Sequence, residues 1–145
     1  MTEVAFHFNA PDSLAYACRL LRKAVGGGAK VVVTGSTETL QELDALLWTF
    51  SATDFVPHCM ADSETHLVAA SPVILSTSIA AVPHQQVLLN LGGFVPEGFD
   101  RFDRVIEIVG QEAQERQLAR ARWKQYTDRA YTITRHDLTL KAPAQ

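Results

Sequence analysis

No run of about 18 consecutive apolar residues occurs in this 145-residue chain, so none of its helices is expected to span a membrane. Cysteine is scarce, and Cys18 and Cys59 cannot build a disulfide framework. Basic residues are missing from Met1-Thr2-Glu3, where a secretory signal would need them. Together these features set the expectation of a cytoplasmic protein with reduced thiols. Repeats, linkers and low-complexity segments are also missing, which leaves a single domain, expected over 1–140 with 141–145 as a frayed tail. With 47% hydrophobic and 20% charged residues, the composition excludes disorder as the main state. A chain of this length buries roughly 68–70% of its unfolded surface, enough for one sizeable core.

The usual signatures of catalysis are missing as well. A phosphate-binding glycine loop follows a strand and opens a helix, so that free amide groups face the anion. Gly26-Gly27-Gly28 does the reverse, closing a helix and preceding a strand, and no Lys followed by Ser or Thr accompanies it. Asn9-Ala10-Pro11-Asp12-Ser13, after the first apolar run, contains no glycine. No serine lies in a nucleophile elbow. His7, His58, His66, His84 and His136 form no pair at ligand spacing, and two cysteines in unrelated segments make no zinc site. His58-Cys59 with Asp62 and Glu64 could be drawn as a nucleophile and base, but adjacent side chains seldom point at one another. A loop holding a half-buried histidine and a small apolar cysteine is the simpler reading.

What is present alternates. Val4–Phe8 reads as a strand, and a helix follows from Asp12 or Ser13 to Val25, with Leu14, Ala17, Cys18, Leu21 and Val25 at helical spacing. Val31-Val32-Val33 is a second strand. Ser36 or Thr37 caps a second helix whose buried stripe is expected to be Leu40, Leu43, Leu46 and Leu47. A long loop over 51–67 is followed by strands at Val73–Leu75, Val87–Leu91 and Arg104–Val109, the last with Arg104 and Glu107 outward. A helix over 111–126 and an edge-like strand over 131–134 complete the chain. Continuous apolar strands separated by helices predict an α/β fold, a largely parallel central sheet flanked by helices.

Charge is uneven. The chain carries −3 overall, yet residues 116–129 hold Arg116, Arg120, Arg122, Lys124 and Arg129 against Asp128 alone, so the rest is acidic. A basic patch on an acidic body suits a small acidic partner better than duplex DNA, which needs a broad positive face. At 100° per residue, Arg116, Arg120, Trp123 and Lys124 fall within about 100° of one another. Leu118 and Ala121 are expected to pack on the sheet. A solvated charged face is the plain alternative, but a tryptophan among bases marks recognition more strongly. Trp48 and Phe55 are large aromatics beside the loop, and by composition they belong to the core.

These runs resemble a known family. Leu43-Asp44-Ala45-Leu46-Leu47-Trp48 followed by Phe55-Val56-Pro57-His58 is similar to the signature of the chi subunit of bacterial DNA polymerase III holoenzyme. Phe99-x-x-Phe102-x-x-Val105-x-Glu107-x-Val109 and the run from Arg116 to Tyr126 look like later parts of that family, over roughly residues 1–138. The resemblance implies a nucleotide-binding-like topology without a nucleotide, no catalysis and no cofactor. It implies two partners, the psi subunit of the clamp-loader complex and the acidic C-terminal tail of single-stranded DNA-binding protein, which ends in Ile-Pro-Phe and a free carboxylate. It places the tail on Arg116, Arg120, Trp123 and Lys124, with Trp48 and Phe55 as the neighbouring apolar wall. Arg116 stands where a lysine can occur and Trp123 where a tyrosine can, which keeps the charge and the ring. The competing readings are a small nucleotide- or cysteine-dependent α/β enzyme, whose motifs are missing, and a direct DNA binder using the basic helix, which the acidic remainder disfavours.

Overall fold

Parallel strands and covering helices are what the computed structural model shows over residues 2–49, 56–80 and 82–138, which it describes. In chain order these are β1 (Glu3–Ala10), α1 (Ser13–Gly26), β2 (Val31–Thr34), α2 (Thr37–Thr49), β3 (His58–Met60) and α3 (Thr65–Ala70), then β4 (Val73–Ser76), β5 (Val87–Asn90), β6 (Arg104–Gly110), α4 (Ala113–Asp128) and β7 (Ile133–Asp137). The seven strands form one sheet in the order β3-β4-β2-β5-β6-β1-β7, with every pairing parallel. This is the expected α/β class, and β7 takes the expected edge position. The expected loop over 51–67 is partly replaced by β3 and the start of α3. Phe55 and the 141–145 tail lie outside the described residues.

Strand side chains alternate between faces, and that alternation decides which helix covers what. Val31, Val33, Val73 and Leu75 pack with Ala17, Cys18 and Leu21 of α1 and Leu40, Leu43 and Leu47 of α2. The intervening Val32 and Ile74 belong to the other cluster, with Val4, Phe6, Phe99, Phe102, Ala119 and Tyr126. So α1 and α2 cover one face and α4 the opposite one. Asp12 caps α1 by accepting from the Ala15 amide at 3.1 Å, and Ser36 accepts from the Thr39 amide at 3.1 Å at the start of α2. Leu46, expected in the buried stripe, is 38% exposed because Leu40, Leu43 and Leu47 alone complete the inward row.

Two expectations about charge and packing are corrected together. Glu107 points inward, not outward, and is fully buried; Arg122 is 4% exposed. Arg122 Nε donates to Glu107 Oε1 at 2.9 Å, Tyr126 Oη to Oε2 at 2.7 Å, and Asn90 Nδ2 to both oxygens at 3.1 and 3.0 Å. Burial pushes the Glu107 carboxyl upward, against the pull of Arg122, Asn90 and Tyr126. Burial, followed by the Glu107 charge, raises the Tyr126 phenol, so it remains a proton donor. The buried side of α4 is therefore Ala119, Arg122 and Tyr126, while Ala121 is exposed and Leu118 only half-buried. The period of Val105, Glu107 and Val109 now has its reason, since all three face α4.

The carboxyl end of α4 closes with the Tyr131 amide donating to the Tyr126 carbonyl at 3.1 Å and the Ala130 amide to the Thr127 carbonyl at 2.9 Å. This is a Schellman cap, and its left-handed position, normally glycine, holds Ala130 at φ 65°. Glu107→Gln is expected to cost about 3–5 kcal/mol in urea unfolding, because it leaves the buried Arg122 charge unpaired. Ala130→Gly is expected to raise stability by about 0.5–1 kcal/mol, the left-handed strain relieved less the added chain entropy.

Candidate functional site

A groove of about 430 Å³ opens at the β7 side of the sheet, lined by Phe6, Phe8, Val109, Ala119 and Trp123 with Asn9, Arg116, Arg120 and Arg135. Each wall follows from the sheet register. Phe6 and Phe8 alternate on β1 toward the α4 face, and Phe6 pairs with Arg135 of β7. On α4, Ala119 packs inward, which leaves Trp123 half-buried over the strands. Its ring centroid is 5.1 Å from that of Phe6. The Arg135 guanidinium lies 5.8 Å from the Trp123 ring centroid, a cation–π contact that helps hold the indole in place. Three guanidinium groups thus surround an apolar hollow.

The structure brings together three of the six residues expected at the site. Arg116, Arg120 and Trp123 line the groove. Lys124 does not: it is two residues before buried Tyr126, about 160° round the helix, and pairs with Asp128 at 2.9 Å in solvent. Trp48 does not wall the hollow either. It is 61% exposed at the end of α2, on the other face of the sheet, with its ring 5.4 Å from that of His58. β3 and β1 are five strand positions apart, about 24 Å at 4.8 Å per strand. Phe55 lies outside the described residues. The apolar wall beside α4 is instead Phe6, Phe8 and Val109. Sequence reasoning missed these and Arg135, because only the β1–β7 pairing brings a residue of the last strand to this place.

The Leu-Asp-x-x-Leu-Trp and Val-Pro-His runs meet elsewhere, for a visible reason. Asp44 and Trp48 are one helical turn apart, so both reach His58 at the head of β3. His58 is buried, with Nδ1 donating to the Val56 carbonyl at 2.6 Å and Nε2 lying 3.0 Å from Asp44 Oδ1. The clamp fastens α2 to the far edge strand. Asp44→Ala removes the carboxylate that meets the buried His58 ring and is expected to cost about 1–3 kcal/mol in unfolding, with the α4 groove unchanged in its ligand affinity.

Comparisons with known proteins agree with this architecture. The family model described as DNA polymerase III chi subunit, HolC, matches residues 1–134. The DNA polymerase III subunit chi of Pseudomonas aeruginosa is 35% identical over 95% of this chain and 98% of its own length. That of Haemophilus influenzae is 27% identical over 75% of this chain and 76% of its own length. Among solved structures, the C-terminal domain of S. cerevisiae Dbp5 bound to Gle1 and IP6 superposes with a TM-score of 0.58 at 15% identity, over 94% of this chain and 90% of that one. At that identity the likeness speaks for the fold alone. The family match over almost the whole chain, with the relative from Pseudomonas, makes the assignment: the chain belongs to the DNA polymerase III chi subunit family.

Proposed function

We propose that the α4 groove binds the acidic C-terminal tail of single-stranded DNA-binding protein, and that the chain is a non-catalytic adaptor joining that protein to the clamp-loader complex through psi. The observation that carries this reading is the set of three guanidinium groups, Arg116, Arg120 and Arg135, around a hollow floored by Phe6, Phe8 and Trp123. A peptide with an acidic run and an apolar end needs cations beside an apolar pocket. A guanidinium also holds a terminal carboxylate well, because its planar fork donates two parallel hydrogen bonds.

Charge and burial divide the work. Exposed cations attract many acidic peptides, and each exposed pair contributes only about 1 kcal/mol and weakens with salt. Selectivity then rests on the terminal Phe, whose burial contributes roughly 1.5–3 kcal/mol, tenfold or more in affinity. Psi is assigned to a separate surface, because an adaptor must hold both partners at once. Leu46 and Trp48 are exposed on α2, on the sheet face opposite α4, and suit that second contact.

Fluorescence anisotropy with a labelled tail peptide tests the reading. Arg120→Glu is expected to weaken binding about tenfold or more at low salt, and a peptide lacking the terminal Phe about tenfold with its salt dependence kept. Equal binding of the two peptides, or normal binding by Arg120→Glu, would contradict it. Competition between psi and the peptide for one site would sink the adaptor model while leaving the tail site standing.

A further inference from the structure

One groove residue stands in a conformation that its side chain must justify. β1 and β6 pair in register from Glu3–Arg104 to His7–Ile108 and resume at Ala10–Gly110, so β1 spends one residue more than its neighbour. The bulge falls at Phe8 and Asn9, and Asn9 sits at φ 63°. Glycine adopts that region most easily; among the other residues, asparagine is one of the few that visit it routinely. What asparagine adds there is an amide, and the amide is placed. Its Nδ2 donates to Asp137 Oδ1 of β7 at 3.0 Å. Its Oδ1 accepts from Arg116 Nη2 of α4 at 3.4 Å, and its main-chain carbonyl accepts from Gln111 Nε2 at 3.4 Å. Bulges re-aim side chains beside functional sites, and an observed backbone outlier at such a site points to a role.

We infer that Asn9 is the positioning residue of the groove: its amide, set by the left-handed bulge, holds the Arg116 guanidinium at the groove mouth and ties it to the edge strand through Asp137. Exposed arginines lose much rotamer freedom on gripping an anion, and a side chain already held loses less. This rests on the tail-binding reading above and adds to it a residue that need not touch the ligand.

The test uses the whole chain, the labelled tail peptide and thermal unfolding. Asn9→Gly keeps the backbone shape and removes the amide. It is expected to leave the melting temperature unchanged or slightly raised while weakening peptide binding about three- to tenfold. On an Arg116→Ala background it should weaken binding no further, whereas on an Arg120→Ala background the full loss should return. Asn9→Asp, nearly isosteric, should weaken binding more than Asn9→Gly, because its carboxylate occupies Arg116 itself. Ala130→Gly, which relieves a similar strain away from the groove, should leave binding unchanged. Wild-type affinity in Asn9→Gly, or the same loss with and without Arg116, would overturn the inference. A collapse in melting temperature would also overturn it, assigning Asn9 to the fold. No binding by the unaltered protein would instead defeat the tail reading itself.

Discussion

The buried pairing of Arg122 with Glu107 fixes how α4 is turned about its own axis, and everything proposed for the groove depends on that angle. An arginine pointed at the sheet loses its water, and it is held there only because Glu107 meets it with further donors from Tyr126 and Asn90. Such a pair adds little stability over an apolar substitute, but rotating the helix away from it is expensive. With Arg122 and Tyr126 inward, Trp123 lies over Phe6, Arg116 and Arg120 flank the hollow, and Lys124 is carried into solvent. The same network reaches the loop after β5. Asn90 Nδ2 donates to the Phe94 carbonyl, Asn90 Oδ1 accepts from the Gly92 amide, and Arg122 Nη1 donates to the Gly93 carbonyl. Strand, loop and helix are therefore set relative to one another by one polar knot within an otherwise apolar layer.

Much of the architecture was legible because it rests on local pattern. The valine run of β2, the caps at Asp12 and Ser36, and the glycines closing α1 each carry their own signal, and the structure places them within a residue or two. What was not legible depended on pairing distant in sequence. Glu107 reads as an outward residue on an alternating strand unless a buried arginine 15 positions later is known to meet it. Counting Arg122 with the surface cations was the same error seen from the other side. Leu118 and Ala121 read as inward because helical spacing sets them opposite a face defined by Arg116, Arg120, Trp123 and Lys124, and that face is itself displaced once Arg122 turns to the sheet.

The site was legible in part for the same reason. Arg116, Arg120 and Trp123 share a helix face by spacing alone, so their grouping needed no fold. Arg135 and Phe6 join them only through the β1–β7 register, and Asn9 only through a bulge that no composition reveals. Trp48 stands beside the cationic helix only through the family resemblance, which does not say which strand or helix lies next to which in space. In the structure the signature that holds Trp48 is a clamp on His58 at the far edge of the sheet. The basic groove at one end and the exposed Trp48 at the other are separated as the proposed adaptor role requires.

The most direct test is a map of the bound peptide on the protein by backbone amide chemical-shift perturbation. Titrating the tail peptide into isotopically labelled protein is expected to move the resonances of Phe6, Phe8, Asn9, Arg116, Arg120, Trp123 and Arg135, and to leave Trp48 and His58 still. Shifts centred on Trp48 and His58, with the α4 groove silent, would contradict the account.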